Sequence, residues 1–392
     1  MTKKVLITTF TYPPQRSGVA HVVEAHATGL VRMGHQVTVA SGDISGASDE
    51  SIRDGVRVCR FSVNGNGRWL RGGYEGDVDR YQEFIQSGDW DILICHCWNI
   101  WSTDLAVKVF DNVECPKVLV SHGSLGRNKW SVKGLINWLD WLPYKSGMPN
   151  FIRRFNHVVL LTDMQNSDRF YDHQLMHKMK YESHSVIPNG INPDRYTNAE
   201  GKSKSVRETY GINEKLMILY VSNYTDGKNQ RLALESFTKA ELEDAVLVFI
   251  GSEINDYARE CMKGISASSK TMENILFLER LSQADIASFY CAADIFLFTS
   301  STECQPMVIL EAMASGTPFL SRDVGCVREF PGGVVVQDDL ELSDAIQQLA
   351  NDVSQRETLC VEGENAIGSH YRWDVVIKKY NALINELCSS ER

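Results

Sequence analysis

Two glutamates, Glu303 and Glu311, lie eight residues apart in the segment STECQPMVILEAMASGTPFL, residues 301–320. The proline between them suits the first turn of a helix, and Gly316 can end that helix in a left-handed conformation. Glu303 would then precede a helix N-terminus, and Glu311 would lie in the second turn. The free N–H groups of such a helix start bind phosphate well. Two carboxylates beside a phosphate site suggest recognition of sugar hydroxyls; the alternative is an amphipathic helix with two solvated glutamates.

The elements around this segment alternate between apolar runs and helical patterns. The first of them are a strand over 4–10, a loop that includes Gly18, a helix over about 19–33 and a strand over 36–40. Further strands are predicted over residues 91–95, 117–121, 157–161, 185–187, 217–221, 245–251, 275–278, 295–298 and 317–320. Strands separated by helices predict a doubly wound α/β fold. A run of turn residues, 188–193, divides the series into two such domains.

Three residues mark the edge at which a ligand is expected. Ligands of doubly wound sheets bind outside the carboxyl ends of the strands. Gly18, His122 and Glu303 each follow a predicted strand. We therefore expect all three to face one cleft between the two domains.

The composition is that of a globular protein. The 392 residues are 43% hydrophobic and 23% charged, and the formal net charge is -10. This acidic balance argues against general nucleic-acid binding. The sequence shows neither the pattern of a signal peptide nor an apolar run of membrane-spanning length. The ten cysteines follow no repeated spacing, so we expect reduced thiols and a cytoplasmic protein.

A metal site is not expected. Cys95-His96-Cys97 could suggest zinc, but alternation along a strand would send His96 to the face opposite both cysteines, and no CxxC pair occurs elsewhere. The aspartate pairs in residues 77–79 and 89–91 have the right side chains for a divalent cation. Their context favours solvated loop charges.

Several segments, in order along nearly the whole chain, resemble the retaining glycosyltransferases of family 4. They are MGHQVTVAS at the second strand, PNGI at 188–191, DIFL at 294–297, the motif ECQPMVILE with its two glutamates, and HYRWDVVIKKY near the end. The resemblance implies a GT-B fold, in which two doubly wound Rossmann-like domains face a central cleft. It implies an acceptor-side domain over 1–190 and a nucleotide-sugar-binding domain over 191–370. A final helix, 371–388, would pack back on the first domain.

The resemblance also implies roles for individual residues. His122 would lie near the reacting carbon, Glu303 would contact the donor sugar, and Lys228 would bind the phosphates; these three are the expected catalytic residues. Glu311 would bind the ribose hydroxyls. His96 and Arg127 are expected on the acceptor side.

The chain departs from the family at the phosphate site. Where the family commonly has an arginine, this chain has Asn223, which can donate a hydrogen bond but carries no charge. Either another cation such as Arg280 substitutes, or the diphosphate binds more weakly. Cys304-Gln305-Pro306 also replaces a common Gly-Phe-Gly. The donor site is therefore expected to include Gly18, Asn223, Lys228, Arg280, Gln305, Pro306, Met307, Val308 and Glu311.

The expected reaction is a metal-independent transfer of a sugar from a UDP- or GDP-sugar to a hydroxyl, with retained anomeric configuration. The nucleotide sugar is a substrate, and no cofactor is expected. A saccharide or lipid-linked acceptor in polysaccharide biosynthesis would fit. Two alternatives remain: a sugar-nucleotide epimerase on the same fold, and a catalytically weak nucleotide-binding partner subunit, which the missing arginine at Asn223 motivates. A dehydrogenase is not indicated, because no GxGxxG follows the first strand.

A basic segment interrupts the acidic chain between His122 and His157. Six basic residues stand there against one acidic residue, with apolar residues interleaved; the basic residues are Arg127, Lys129, Lys133, Lys145, Arg153 and Arg154. Such a segment can lie on an anionic membrane surface. One interpretation is therefore peripheral contact with the inner face of the membrane through residues 127–155. The other is a packed helical insertion that lines the acceptor groove.

Overall fold

The computed structural model describes residues 1–15, 17–44, 49–65, 73–123, 142, 145–163, 170–196, 199–213, 215–265 and 274–389. The chain divides into two compact units. The first comprises Met1–Asn189 together with Trp373–Arg392, and the second comprises Gly190–Arg372. The boundary expected from the sequence, between residues 190 and 191, differs from this division by one residue.

The first unit is built around a sheet of eight strands in the order β10-β9-β8-β7-β1-β2-β4-β3. Its pairs are parallel except β3 with β4, and β5 pairs with β6 in a separate antiparallel ribbon. The strands are β1 (Lys4–Thr8), β2 (Gln36–Gly42), β3 (Glu50–Arg53), β4 (Val56–Phe61), β5 (Val63–Gly65), β6 (Tyr74–Gly76), β7 (Ile92–His96), β8 (Lys117–Val120), β9 (His157–Leu160) and β10 (His184–Val186). The central strands are apolar and fully buried, as expected for parallel strands covered on both faces.

Five labelled helices belong to the first unit. They are α1 (Gly18–Arg32), α2 (Val78–Ser87), α3 (Trp101–Lys108), α4 (Tyr171–Met179) and α12 (Trp373–Leu387), and residues 145–152 are also helical. Helix α1 begins where the Ser17 hydroxyl accepts a hydrogen bond from the Ala20 N–H at 3.1 Å. It ends before Gly34, whose φ of 91° requires a residue without a side chain.

Helix α12 returns to the first unit and packs against α1. A Cβ atom added to Gly29 of α1 would lie only 2.5 Å from Cγ1 of Ile377. Farther along the same contact, the His35 Nε2 lies 2.7 Å from the Asn381 Oδ1. Glycine at position 29 therefore sets how closely the two helices approach.

The second unit contains a parallel sheet of six strands in the order β13-β12-β11-β14-β15-β16. Numbered within the unit, this order is 3-2-1-4-5-6, that of dinucleotide-binding folds. The strands are β11 (Leu216–Val221), β12 (Ala245–Gly251), β13 (Ile275–Glu279), β14 (Ile295–Phe298), β15 (Phe319–Arg322) and β16 (Gly333–Val336). The helices are α5 (Ala199–Tyr210), α6 (Gln230–Lys239), α7 (Asp256–Ile265), α8 (Gln283–Ala292), α9 (Met307–Ala314), α10 (Leu342–Asn351) and α11 (Val353–Ala366).

Every strand predicted from the sequence is present, with ends displaced by at most two residues. The prediction missed β3 to β6 and β16. It was also wrong about residues 95–97, because β7 ends at His96 and Cys97 adopts a left-handed conformation with φ 64°. The strict alternation assumed across that run therefore stops at residue 96.

We predict that Gly29→Ala destabilises the first unit. Alanine favours a helix by roughly 1 kcal/mol over glycine, but overpacking costs about 1–3 kcal/mol where the neighbour is stiff, as β-branched Ile377 is. Thermal unfolding and hydrogen exchange in α12 measure the effect. Gly264→Ala in α7 is the control, because among the described residues no atom beyond its chain neighbours and its own helix backbone lies within 4 Å of its added Cβ. Equal behaviour of the two variants would contradict this account of the contact.

Candidate active site

The second sheet brings two loops together at its switch point, between β11 and β14. The chain order reverses there, so the loops that follow the two strands diverge and leave room for a ligand at the carboxyl edge. Lys228 lies in the loop after β11, and Glu303 lies in the loop after β14. These are two of the three residues that the sequence assigned to catalysis.

Lys228 and Glu303 form an ion pair between the Nζ and Oε1 atoms. The Ser300 hydroxyl donates a second hydrogen bond to the same carboxylate oxygen, at 2.7 Å. The side chains remain 33% and 15% exposed, respectively. The pair is therefore held by the protein and still accessible to a ligand.

The backbone around Lys228 is fixed by bonds from β11 and from the loop after β14. The Tyr220 hydroxyl donates to the Lys228 carbonyl, and the Thr299 hydroxyl donates to the Asn229 carbonyl at 2.8 Å. The Ser301 N–H donates to the Gly227 carbonyl, also at 2.8 Å. These bonds lock the two loops to each other, so the ion pair does not depend on side-chain attraction alone.

The backbone of the loop after Glu303 is hydrogen-bonded to a turn that follows β15. The Cys326 N–H donates to the Cys304 carbonyl at 2.9 Å. Gly325 has a φ of 55°, and a Cβ atom there would lie 2.4 Å from the same carbonyl oxygen. Only glycine allows this close approach of the two backbones.

Helix α9 follows directly, and its start differs from the prediction by one residue. Pro306 is the N-cap residue, with an extended backbone, rather than a member of the first turn. Gln305 and Pro306 are buried, and Met307 and Val308 are half-buried. The first turn holds no acidic residue. Its N–H groups lack partners within the helix, apart from a 3.2 Å contact of the Ile309 N–H with the Pro306 carbonyl, so this end can attract an anion.

Glu311 lies one turn further along α9, in a less polar environment than Glu303. Burial raises the pKa of its carboxyl from 4.5 to about 7, while Tyr290 and Arg195 act in the opposite direction. The pKa of Tyr196 is raised as well, first by burial and then by the charge of Glu311. The sequence did not single out Arg195, Tyr196 or Tyr290, because none of them lies near the motif in the chain.

The two residues proposed at the missing arginine have different surroundings. Asn223 is exposed after β11, and its carbonyl accepts a hydrogen bond from Gln230 at 3.0 Å. Arg280 follows β13, is 69% exposed, and has its Nη2 3.6 Å from Glu253 Oε1. The structure does not bring Arg280 to Lys228 or Glu303. Arg322, at the end of β15, does lie beside the motif, with its Nη1 3.5 Å from the Ser301 hydroxyl.

The first unit places Gly18 and two histidines after strands of its own sheet. Gly18 is the first residue of α1, and apart from its chain neighbours and its own helix backbone no described atom lies within 4 Å of a Cβ built on it. His96 ends β7 and His122 follows β8, with the His96 Nδ1 3.0 Å from the His122 Nε2. Burial lowers the pKa of His122 to about 4. Arg127 lies outside the described residues.

A third histidine, His26 of α1, joins this pair and was missed from the sequence. Its Nδ1 lies 3.4 Å from the Nε2 of His96. The loop that carries His122 is anchored by the Ser121 hydroxyl, which donates to the Asp172 carboxylate of α4. The signal available in the sequence was only a histidine at helical spacing among apolar residues, which is normally a core residue.

The described part of the chain contains no group of three His, Cys, Asp or Glu side chains that could hold a metal ion. The aspartates considered for that purpose have other partners: Asp89 pairs with Lys4 at 2.6 Å, and Asp77 pairs with Arg80 at 3.1 Å. All ten cysteines lie within the described ranges, and none of them is in a disulfide bond.

The basic segment 127–155 is described only in part. Ile152 is buried in the core of the first unit, and Arg154 pairs with Asp111 at 2.9 Å. Arg153 is exposed. Lys129 and Lys133 lie outside the described residues. Among the helices that are described, none is both long and apolar enough to cross a membrane.

Two protein-family models match the chain. Glycosyltransferase Family 4 matches residues 16–195, and Glycosyl transferases group 1 matches residues 203–362. An uncharacterized glycosyltransferase of Methanocaldococcus jannaschii is 24% identical over 96% of each chain. The alpha-monoglucosyldiacylglycerol synthase of Streptococcus pneumoniae is also 24% identical, over 80% of this chain and 69% of its own.

Solved structures establish the fold. The sucrose-phosphate synthase of Thermosynechococcus elongatus superposes with a TM-score of 0.80 at 16% identity, over 99% of this chain and all of its own. HepE of Anabaena, in complex with UDP-glucose, superposes with a TM-score of 0.73 at 16% identity, over 98% of this chain and all of its own.

This fold is the GT-B fold, and its combination with the two family segments defines a glycosyltransferase. The chain belongs to the group 1 glycosyltransferases of family 4. The family and the fold class predicted from the sequence are therefore confirmed. Nothing in the comparisons supports an epimerase or a catalytically weak partner.

The raised pKa of Glu311 predicts how stability depends on pH. Between its unfolded pKa of 4.5 and its folded pKa of about 7, the folded protein binds more protons at this carboxyl than the unfolded chain. The free energy of unfolding should therefore fall by about 1–3 kcal/mol as the pH rises through this window. Urea unfolding at pH 5 and pH 8 measures it.

The control for this prediction is a pair of variants. Glu311→Gln should make stability less dependent on pH across the same window, because the titrating group is gone. Glu253→Gln removes an exposed carboxylate from the same unit and should leave the dependence as in the wild type. A Glu311→Gln variant with unchanged pH dependence would contradict the assignment.

Proposed function

We propose that this glycosyltransferase moves a sugar from a nucleoside diphosphate donor to a hydroxyl acceptor, without a metal ion and with retained configuration. The observation that carries the proposal is the accessible Lys228–Glu303 pair at the switch point of the second sheet, beside the start of α9. A cation, a carboxylate and a helix N-terminus together match the charge pattern of a sugar diphosphate.

The leaving group explains why these residues would be needed. Departure of a nucleoside diphosphate builds negative charge on its outer phosphate. Lys228 and the N–H groups at the start of α9 would stabilise that charge where it develops. Glu303 would accept hydrogen bonds from the sugar, and Glu311 would accept them from the ribose. We propose Asn223, Gln305, Met307 and Val308 as further donor contacts, with Pro306 shaping the helix start. Either Arg280 or Arg322 would be the second cation; both are in ion pairs here, with Glu253 and Asp339 respectively.

The ion pair also suggests how the donor would be selected. A phosphate that takes the Lys228 ammonium leaves the Glu303 carboxylate without its counter-charge. In an intact sugar nucleotide, a hydroxyl of the transferred sugar can then donate to Glu303. A free nucleoside diphosphate lacks that sugar, and its ribose hydroxyls would be bound by Glu311. The site should therefore prefer the intact donor, because an uncompensated partly buried carboxylate is costly.

Retention would follow from a front-face reaction, in which the donor phosphate takes the proton of the acceptor hydroxyl. With the donor bound, Glu303 still accepts hydrogen bonds from the Ser300 hydroxyl and from a sugar hydroxyl, and these bonds weaken it as a nucleophile. A covalent sugar–enzyme intermediate is therefore disfavoured. The retained stereochemistry itself rests on the family resemblance.

The comparisons guide the choice of donor and acceptor. HepE of Anabaena was crystallised with UDP-glucose, and the synthase of Streptococcus pneumoniae is named for a diacylglycerol lipid. We propose a UDP- or GDP-sugar donor and a lipid-linked or saccharide acceptor, with the protein in the cytoplasm or at the inner face of the membrane. We propose Gly18 as a contact of the diphosphate, His122 as a contact of the reacting sugar, and His96 and Arg127 on the acceptor side.

A donor screen tests the proposal. Purified protein with a metal chelator is mixed with UDP-, GDP- and ADP-sugars, and thermal shift and release of nucleoside diphosphate are measured. One donor should stabilise the protein and be turned over slowly. Lys228→Ala should lower kcat/KM by roughly 10²- to 10³-fold, because it removes a group that acts on developing charge.

Two further variants sharpen the test. Glu303→Gln should lose the preference for the intact sugar nucleotide over the free diphosphate. Lys215→Ala, which removes a 90% exposed lysine from the other end of β11, should behave as the wild type. Turnover that requires a divalent cation, or that survives in Lys228→Ala, would refute the proposed site.

A further inference from the structure

Three imidazole rings form a continuous row inside the first unit. The row runs from His26 on α1 through His96 at the end of β7 to His122 after β8. The two ring contacts are 3.4 Å between His26 Nδ1 and His96 Nε2, and 3.0 Å between His96 Nδ1 and His122 Nε2. Each contact joins one nitrogen of one ring to one nitrogen of the next, so each contact can hold a single shared proton.

The inner end of the row, at His26, has no hydrogen-bond partner to accept a proton among the described residues. His26 is 2% exposed, and its Nε2 is buried without a hydrogen-bond partner among the described residues. The rings of Tyr380 and Trp373 on α12 cover it at centroid distances of 4.2 Å and 5.4 Å. Burial also lowers the pKa of all three histidines, which keeps the rings neutral at pH 7.

A neutral row can order its protons in only two ways. In one, each ring donates inward, and the Nε2 of His26 carries a buried N–H with no acceptor. In the other, each ring donates from Nδ1 towards His122 and beyond it, and the Nε2 of His26 is unprotonated with an unused lone pair. Buried N–H groups without a partner are rarer and costlier than under-used acceptors, so the second order is favoured.

We propose that His26 and His96 are positioning residues that hold His122 as its Nδ1–H tautomer, so that His122 donates a hydrogen bond to the substrate. His122 Nε2 accepts from His96, and this leaves Nδ1 as the donor. The inference rests on the proposed function in one respect, namely that His122 contacts the substrate. The tautomer itself does not depend on it.

The backbone around His96 is suited to hold the middle ring in place. Cys97 and Asn99 both have left-handed backbones, with φ of 64° and 58°. The Thr103 hydroxyl at the start of α3 donates to the Cys97 carbonyl at 2.5 Å. Strained positions of this kind persist where the surrounding structure fixes them, and they are common beside functional groups.

Nitrogen NMR on protein labelled with 15N-histidine tests the proposal directly. Long-range 1H–15N correlation at pH 7.5 reports the tautomer of each ring, and a His122→Asn spectrum assigns the signal. In the wild type, His122 should be mainly Nδ1–H, although histidine in water favours Nε2–H. His96→Leu should lower the ratio of Nδ1–H to Nε2–H at least about fivefold, because the bond that fixes the tautomer is lost.

Two more variants separate positioning from packing. His96→Asn keeps an amide that can donate to His122 Nε2, so it should restore the Nδ1–H tautomer. His26→Leu fills the inner position without a nitrogen and should lower the ratio less than His96→Leu does. If His96→Leu fails to fold, the wild-type and His26→Leu spectra still decide the question. A wild-type His122 in the Nε2–H form, or a ratio unchanged in both leucine variants, would overturn the proposal.

Once a donor is known, the kinetics of sugar transfer test the proposal independently of the NMR spectra. His96→Leu should lower kcat about tenfold with little change in the donor KM, the change expected for one hydrogen bond made in the transition state. His96→Asn should recover most of it. His35→Asn, which changes a buried histidine of the same unit outside the row, should retain wild-type kcat. If the wild type transfers no sugar, the proposed function fails while the tautomer test still stands.

Discussion

The bond between Lys228 and Glu303 joins two loops that are 75 residues apart in the sequence. It can form only because β11 and β14 are neighbours in a sheet whose order reverses between them. Tyr220, Thr299 and Ser301 then tie the same loops together through backbone carbonyls. The charged pair is therefore held by backbone hydrogen bonds between the two loops. The start of α9 is positioned with it, because the loop that carries Glu303 leads directly into that helix. Any change that separates these strand ends would disperse the cation, the carboxylate and the helix start at once.

The two glutamates of one motif have unlike environments. Glu303 contacts a lysine and a serine hydroxyl, whereas Glu311 interacts with the tyrosine side chains of Tyr196 and Tyr290. One carboxylate is compensated by charge, and the other is kept partly protonated by burial. A short loop and the first turn of α9 thus separate a carboxylate held by polar partners from one whose pKa is raised by burial.

The sequence predicted best those elements whose local residue preferences agree with the way they pack in the fold. The long apolar runs of β11, β12 and β14 predicted their strands well, and the proline and glycine around α9 predicted its ends. It failed at β4, where Arg60 is buried among apolar residues and breaks the expected pattern. It failed also at β16, which is four residues long and starts at a glycine. Lys228 and Glu303 were found because their loops carry a recognisable pattern, but His26, Tyr290 and Arg322 reach their places only through the order of the strands. No spacing along the chain encodes such contacts.

The return of α12 to the first unit has a consequence for biosynthesis. The first unit needs residues from both sides of the second unit, since α12 covers His26 through Trp373 and Tyr380. On the ribosome, the second unit can therefore be complete before the first has received its last helix. Until that helix emerges, the groove beside Gly29 leaves apolar surface of α1 open to chaperones or to a neighbouring nascent chain. The first unit is thus closed by a helix that is synthesised only after the whole of the second unit.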